Sequence, residues 1–177
     1  KTFRDLGYVH SDIHDIVFDI SNSNKIIVAT DGGLYKSFDR GSSFEMVESL
    51  PLSQFYHVSV DNAKPYNVYG GLQDNGSWYA PSQKSGGITN SDWHSTFGGD
   101  GFYSFAHKTD PDVIYCEYQG GQMVRYNKKT GQAQDIKPYP EKGEKSFRYN
   151  WNAPIHLSET NDERFYFGSQ FLFMSMD

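Results

Sequence analysis

One unit recurs four times along this chain, and that repetition constrains the fold more than any single motif. Each copy is a β-prone run, a polar turn, a second run, a small polar tip and a third run. The first copy reads HDIVFDIS, SNSNK, IIVAT, DGG, LYKSFD. The second is FYHVSVD, NAKP, YNVYGGLQ, DNG, SWYAPS. The third is FYSFAHK, TDPD, VIYCEY, QGG, QMVRYN, and the fourth APIHLSE, TNDE, RFYFGSQ, FLFMSMD. Gly33, Gly76 and Gly121 fall at spacings of 43 and 45 residues. The turns carry Asn, Asp or Pro, whose side chains or fixed φ favour reversal of the backbone. In the first three copies a further run follows: FEMVES, DWHSTF and QAQDIKP. Four short strands per unit of roughly 40–50 residues is the pattern of a β-propeller blade.

The expected architecture is therefore all-β: a propeller fragment of about three and a half blades over 10–49, 55–97, 102–138 and an incomplete 153–177. Composition agrees. Phe, Tyr and Trp together number 29 of 177 residues, and there are 17 Gly, which suits strands and tight turns rather than helices. A helical period is nearly absent. The formal net charge of -6 gives no basic footprint, so a nucleic-acid partner is not expected. No apolar run approaches the roughly 20 residues of a membrane helix. The lone Cys116 rules out an intrachain disulfide and a cysteine-based zinc cluster. The first residue is Lys1, without a leading methionine or signal peptide, and the expectation is a mature or excised segment. The fourth copy stops before its fourth strand. Further polypeptide or other chains are expected to supply that strand and the rest of the ring.

Between the third and fourth strands of the first copy stands Ser37-Phe38-Asp39-Arg40-Gly41-Ser42-Ser43-Phe44. This resembles the Asp-box, S-x-D-x-G-x-[ST]-[WF], of sialidase-type and sortilin-type propellers. Ser37, Asp39, Gly41 and Phe44 occupy its structural positions. Asp39 is suited to accept hydrogen bonds from turn amides, Gly41 to take a positive φ, and Phe44 to fill space beside the hairpin. The terminal Phe173-Met174-Ser175-Met176-Asp177 begins the same S-x-D. With HSDIH, GLQDNGSW, GGDGF and NWNAP, the chain is similar to secreted bacterial BNR-repeat proteins described as glycosyl-hydrolase-like or sortilin-like, more distantly to xyloglucanases and sialidases. The resemblance implies a propeller, a carbohydrate connection and a secreted, periplasmic or cell-surface location. A sialidase would also need an arginine triad. The five arginines here do not supply one, Arg148 alone lying near a tip.

Propeller geometry converts the repeat into a site. Loops joining second to third strands share a face with the connections between blades. Asp31, Asp74, Asn75 and Gln119 come from the first set, and Asp100, Trp151 and Asn152 from the second, with His10, Asp12 and His14 leading into the first blade. Asp31, Asp74 and Asp100 are candidates for general acid and base. Glycoside hydrolysis needs two carboxylates, roughly 6.5–9.5 Å apart for inversion or about 5 Å for retention. The same residues also cap Gly-containing turns without any chemistry. Asn75, Gln119, Trp151 and Asn152 are candidate ligand contacts, Trp151 as a platform for a sugar ring. If extended, His10-Ser11-Asp12-Ile13-His14 points its three polar side chains to one face, a set suited to a divalent metal or to hydrogen bonding at the channel mouth. Two functional readings follow: recognition of a glycan or peptide over the mouth, or a polysaccharide-active hydrolase. A purely architectural propeller is a third.

Overall fold

The computed structural model describes every residue except Lys1, Arg4, Leu6, Tyr8, Pro51 and Asp177. The second S-x-D thus ends outside the described residues. The chain is an all-β, propeller-type fragment made of antiparallel sheets. It divides into two compact units, residues 1–53 and 54–177.

The first unit holds one four-stranded sheet, β1 (Ile13–Phe18), β2 (Ile26–Thr30), β3 (Gly33–Ser37) and β4 (Glu45–Met46), paired in chain order. The turn joining β3 to β4 is built on Asp39. Its carboxylate accepts the Ser43 N–H at 2.9 Å, the Ser43 hydroxyl at 2.7 Å and the Ser37 hydroxyl at 2.8 Å. Ser37 Oγ in turn accepts the Gly41 N–H at 2.8 Å. Gly41 sits at φ +81°, where a side chain is disfavoured. These bonds hold the Asp39 carboxyl down at about 2, the Ser43 donors contributing most.

The second unit holds three sheets. One contains β5 (Phe55–Val60), β6 (Asn67–Leu72), β7 (Gly76–Pro81) and β8 (His94–Phe97); the next, β9 (Gly101–Ala106), β10 (Val113–Tyr118), β11 (Gln122–Asn127) and β12 (Gln132–Asp135). The last contains β13 (Ile155–Leu157), β14 (Phe165–Gly168) and β15 (Leu172–Ser175). Strand β10 is covered on both sides. Val113 and Tyr115 meet Ile155, Phe165 and Phe167 of the last sheet and Ala153 just before it, while Ile114 and Cys116 meet Tyr69 of β6. Alternate residues facing opposite ways explain why VIYCEY is almost continuously apolar. Cys116 is fully enclosed beside Thr96 and Ser104, and burial pushes its thiol up. It is a small core residue.

Two glycines, Gly71 of β6 and Gly101 of β9, let the backbone of β9 meet that of β6 and of β7. A Cβ on Gly71 would lie 2.1 Å from the carbonyl carbon of Gly101, and one on Gly101 would lie 2.3 Å from the Gly76 oxygen. This close approach sets the polar tips of the two sheets beside each other. Elsewhere the loop 82–91 between β7 and β8 is tied at two points. Lys84 pairs with Asp92, and Asp92 also takes the Thr89 N–H and hydroxyl, closing a capped 3₁₀ turn over Asn90–Asp92. Asp92 satisfies backbone at the end of this stretch that would otherwise be left to water.

Candidate functional site

The second unit gathers most of the predicted site residues around one buried carboxylate. Asp100 lies between β8 and β9 and is only 7% exposed. Its Oδ1 accepts the Asp74 N–H at 2.8 Å, and its Oδ2 accepts the indole N–H of Trp151 at 2.8 Å. Its own N–H donates to Gln119 Oε1 at 2.6 Å. The β6–β7 tip, the β8–β9 connection, the 3₁₀ turn Gln119–Gly121 and the lead-in to β13 therefore meet at Asp100. Two backbone bonds reinforce them: Gly76 N–H to the Gly99 oxygen at 2.8 Å, and Gly120 N–H to the Trp151 oxygen at 3.0 Å.

Local sequence explains how each piece arrives there. Asp74 takes φ +58° and Gly76 φ +71°, so the DNG tip turns tightly between β6 and β7. Gly99 is left-handed as well, and a Cβ there would lie 2.5 Å from Gln119 Oε1. Gly120 and Gly121 both have positive φ, which makes the QGG tip a short 3₁₀ turn rather than a simple hairpin.

Trp151 is 62% exposed although its indole N–H is bound. A large aromatic face is thus presented to solvent in a fixed orientation. Beside it, Asn152 donates from Nδ2 to His57 Nε2 at 3.0 Å. His57, on β5, stacks on Tyr103 of β9 with ring centroids 3.8 Å apart and planes 11° from parallel. Burial lowers the His57 pKa, opposed by the bond with Asn152, which favours the neutral imidazole. Asn75 donates to the Gln73 oxygen at 2.8 Å, and Gln73 Oε1 accepts the Tyr56 hydroxyl at 2.9 Å. Trp78 and Trp93 do not join this group. Trp78 bonds the Asn75 oxygen from β7, while Trp93 stands before β8 with its ring 5.9 Å from that of Phe55.

A residue with no motif around it completes the site. Glu117 on β10 is fully buried. The β9–β10 pairing shifts register between Cys116 and Tyr118, so Glu117 faces a bulge and reaches the Tyr103 N–H released there. Its Oε1 accepts the Ala153 N–H at 3.2 Å. Burial, outweighing those two donors, pushes its carboxyl up to about 8. Among the described residues, its Oε2 is buried without a hydrogen-bond partner, as is Asn152 Oδ1. The one sequence signal was a lone carboxylate inside an apolar strand, VIYCEY.

The first unit carries the remaining candidates. His14 Nε2 contacts Asp31 Oδ1 directly, and that hydrogen bond and charge raise the His14 pKa, with a smaller contribution from Asp12. Asp12 and Asp31 carboxylate oxygens lie within 4.8 Å of one another. The expected alternation of His10, Asp12 and His14 does not hold, because the segment is extended only from Ile13 onward. Asp12 has φ +58°, and the β1–β2 pairing slips between Ile13 and Asp15. His10 instead lies over Gly32, whose added Cβ would fall 2.4 Å from the imidazole, and its Nδ1 lies 3.0 Å from the Ser11 oxygen. Asp12, His14 and Asp31 offer donors for a divalent cation, which would have to replace the His14–Asp31 contact; His10 is turned to other partners.

No protein-family profile and no curated protein matches the chain. Solved structures do match it. An auxiliary nutrient binding protein from Bacteroides thetaiotaomicron is 11% identical over 92% of this chain and 38% of its own, with a TM-score of 0.50. A GH74 xyloglucanase from Xanthomonas campestris is 17% identical over 92% of this chain and 28% of its own, with a TM-score of 0.48. A GH74 enzyme from Niastella koreensis is 15% identical over 92% and 27%, also at 0.48. The chain spans less than two fifths of the length of each. At such identities the likeness concerns the fold alone. Among the described residues, no helix is long and apolar enough to cross a membrane.

Proposed function

We propose that this chain is the recognition part of a propeller and binds a neutral glycan at the mouth formed by Trp151, Asn152, Gln119 and Asn75. The observation that carries this reading is Trp151: an exposed indole face locked by its bond to buried Asp100. Aromatic faces take up the apolar faces of sugar rings, and a face already fixed loses little entropy on binding. Side-chain amides beside it suit hydroxyl groups. Asp100 fits support rather than proton transfer, because both of its oxygens already accept hydrogen bonds. The resemblance to secreted BNR-repeat proteins, carried by the turn at Ser37–Phe44, agrees with this reading and implies export.

Titration with neutral oligosaccharides, cellohexaose and xylohexaose among them, tests the proposal. Saturable binding lost in Trp151→Ala supports it. Binding of peptides but not sugars at the same residues would reassign the ligand, and no binding of either would leave an architectural role.

A hydrolase is the second reading, and the Asp31–His14 pair favours it. A carboxylate with a histidine on it and a second carboxylate within 4.8 Å resembles a tuned acid–base group. Turnover of any glycan that is lost in Asp31→Asn while binding persists would establish this reading.

A further inference from the structure

We propose that Glu117 is a positioning residue for the Trp151 mouth: as a neutral acid it accepts the Ala153 N–H through Oε1 and donates its proton from Oε2 to Asn152 Oδ1, so that ionisation loosens the Trp151–Ala153 segment. The inference rests on the glycan reading only for its effect on binding.

Two buried acceptors without partners carry the argument. Among the described residues, Glu117 Oε2 and Asn152 Oδ1 both lack a hydrogen bond, and a buried polar atom left unpaired is destabilising. They belong to one neighbourhood, since Glu117 Oε1 holds the N–H of Ala153, the residue following Asn152. A carboxylate and an amide oxygen repel. A carboxylic acid and an amide oxygen form a bond, and one proton satisfies both orphans. The Nδ2 of Asn152 is already engaged by His57 at 3.0 Å, so the amide oxygen is the atom left to take a proton.

The surroundings favour the neutral form. The Glu117 shift comes from burial, opposed by the N–H donors of Ala153 and Tyr103. Met123 stands opposite it on β11. From β5 comes His57, whose burial favours the neutral imidazole, and from β9 the phenol of Tyr103. Asp100 lies beyond Trp151. Lys137 donates to the Gly120 oxygen and lies over the Tyr149 ring, 4.6 Å from its centroid. Burial raises the Tyr149 pKa and lowers that of Lys137. Burial thus brings the Glu117 carboxyl to about 8, just above neutrality.

The chain that follows from it is short. Ionised Glu117 gives up the bond to Asn152. Asn152 then loses its orientation toward His57, and the backbone that carries Trp151, one residue earlier, is held less firmly while its bonds to Asp100 and Gly120 remain. Ligand contact should weaken as the pH rises.

The test follows the Trp151 indole and Asn152 side-chain amide resonances from pH 6 to 10 in the 177-residue chain, with and without cellohexaose. In the wild type both should titrate together with a midpoint of about 8, and Glu117→Gln should abolish that titration. Binding should fall several-fold across the midpoint in the wild type and stay level in Glu117→Gln. Asn152→Ala, which removes the acceptor of the proton, should lower the Glu117 carboxyl midpoint read by carbon NMR, and it serves if Glu117→Gln does not fold. Resonances that ignore pH, a pH profile that persists in Glu117→Gln, or a Glu117 midpoint unchanged in Asn152→Ala overturns the inference. A Glu117-dependent titration without sugar binding at any pH upholds the positioning role and rejects the glycan reading.

Discussion

Replacing Asp100 by alanine removes one carboxylate and strands two donors, the Asp74 N–H and the indole N–H of Trp151. Hydrogen bonds to a charged group contribute about 1.5–3 kcal/mol each. The loss will be below the simple sum, because Trp151 is 62% exposed and water can reach its freed N–H. A net cost of about 3 kcal/mol follows. At roughly 2–4 °C per kcal/mol for a chain of this size, the melting temperature should fall by roughly 6–12 °C. Asp100→Asn keeps one acceptor and turns an NH2 toward the other donor, so it should cost almost as much. Denaturant unfolding followed by tryptophan emission reads the stability, and the Trp151 indole resonance reads the local bond. A loss under about 0.5 kcal/mol with an unmoved indole resonance would refute the reasoning. So would Asp100→Asn that unfolds normally yet loses a hydrolytic activity, since Asp100 would then be an acid or base rather than a tether.

Gly71→Ala should be at least as damaging, because its Cβ would meet Gly101 backbone at 2.1 Å; overpacking of this kind costs about 3 kcal/mol, and a melt unchanged from wild type would contradict the close approach. Asp39 carries a pH signature. Its folded pKa, about 2, lies below the ordinary 3.8, so its contribution to stability is complete above 3.8 and fades as the pH falls through about 2. Acid melts of the wild type and Asp39→Asn should converge below that range; curves that run parallel would deny the turn bonds. The His14–Asp31 pair has the opposite sign. His14 is raised, so that pair stabilises fully below the unfolded His value of about 6.5 and is lost as the pH rises through the folded value. His14→Gln should remove the dependence, as monitored by the Asp31 carboxyl resonance.

Much of the architecture was legible because a propeller repeats. The turn residues and apolar runs that mark β5, β6 and β7 recur in β9, β10 and β11, so each strand is read several times. The meeting of Asp74, Asp100, Gln119 and Trp151 followed from the same alignment, since equivalent loops of successive blades fall on one face. What escaped depended on local backbone departures. Asp12 breaks the His10–His14 alternation through a left-handed φ, which a residue pattern does not announce. Glu117 becomes important through a bulge on the neighbouring strand, and its orphan oxygen exists only once β10 is covered on both sides. Asp100 looked like a turn cap with spare reactivity; its two bonded oxygens became visible only with the loops in place.

The central claim is that the Trp151 mouth binds a neutral glycan, and calorimetric titration of this chain with cellohexaose and xylohexaose at pH 6.5 tests it most directly. The account expects saturable binding that Trp151→Ala reduces at least tenfold while the Trp78 and Trp93 signals stay unchanged. Binding that survives Trp151→Ala, or a Trp151 indole resonance that ignores every neutral sugar at millimolar concentration, would contradict it.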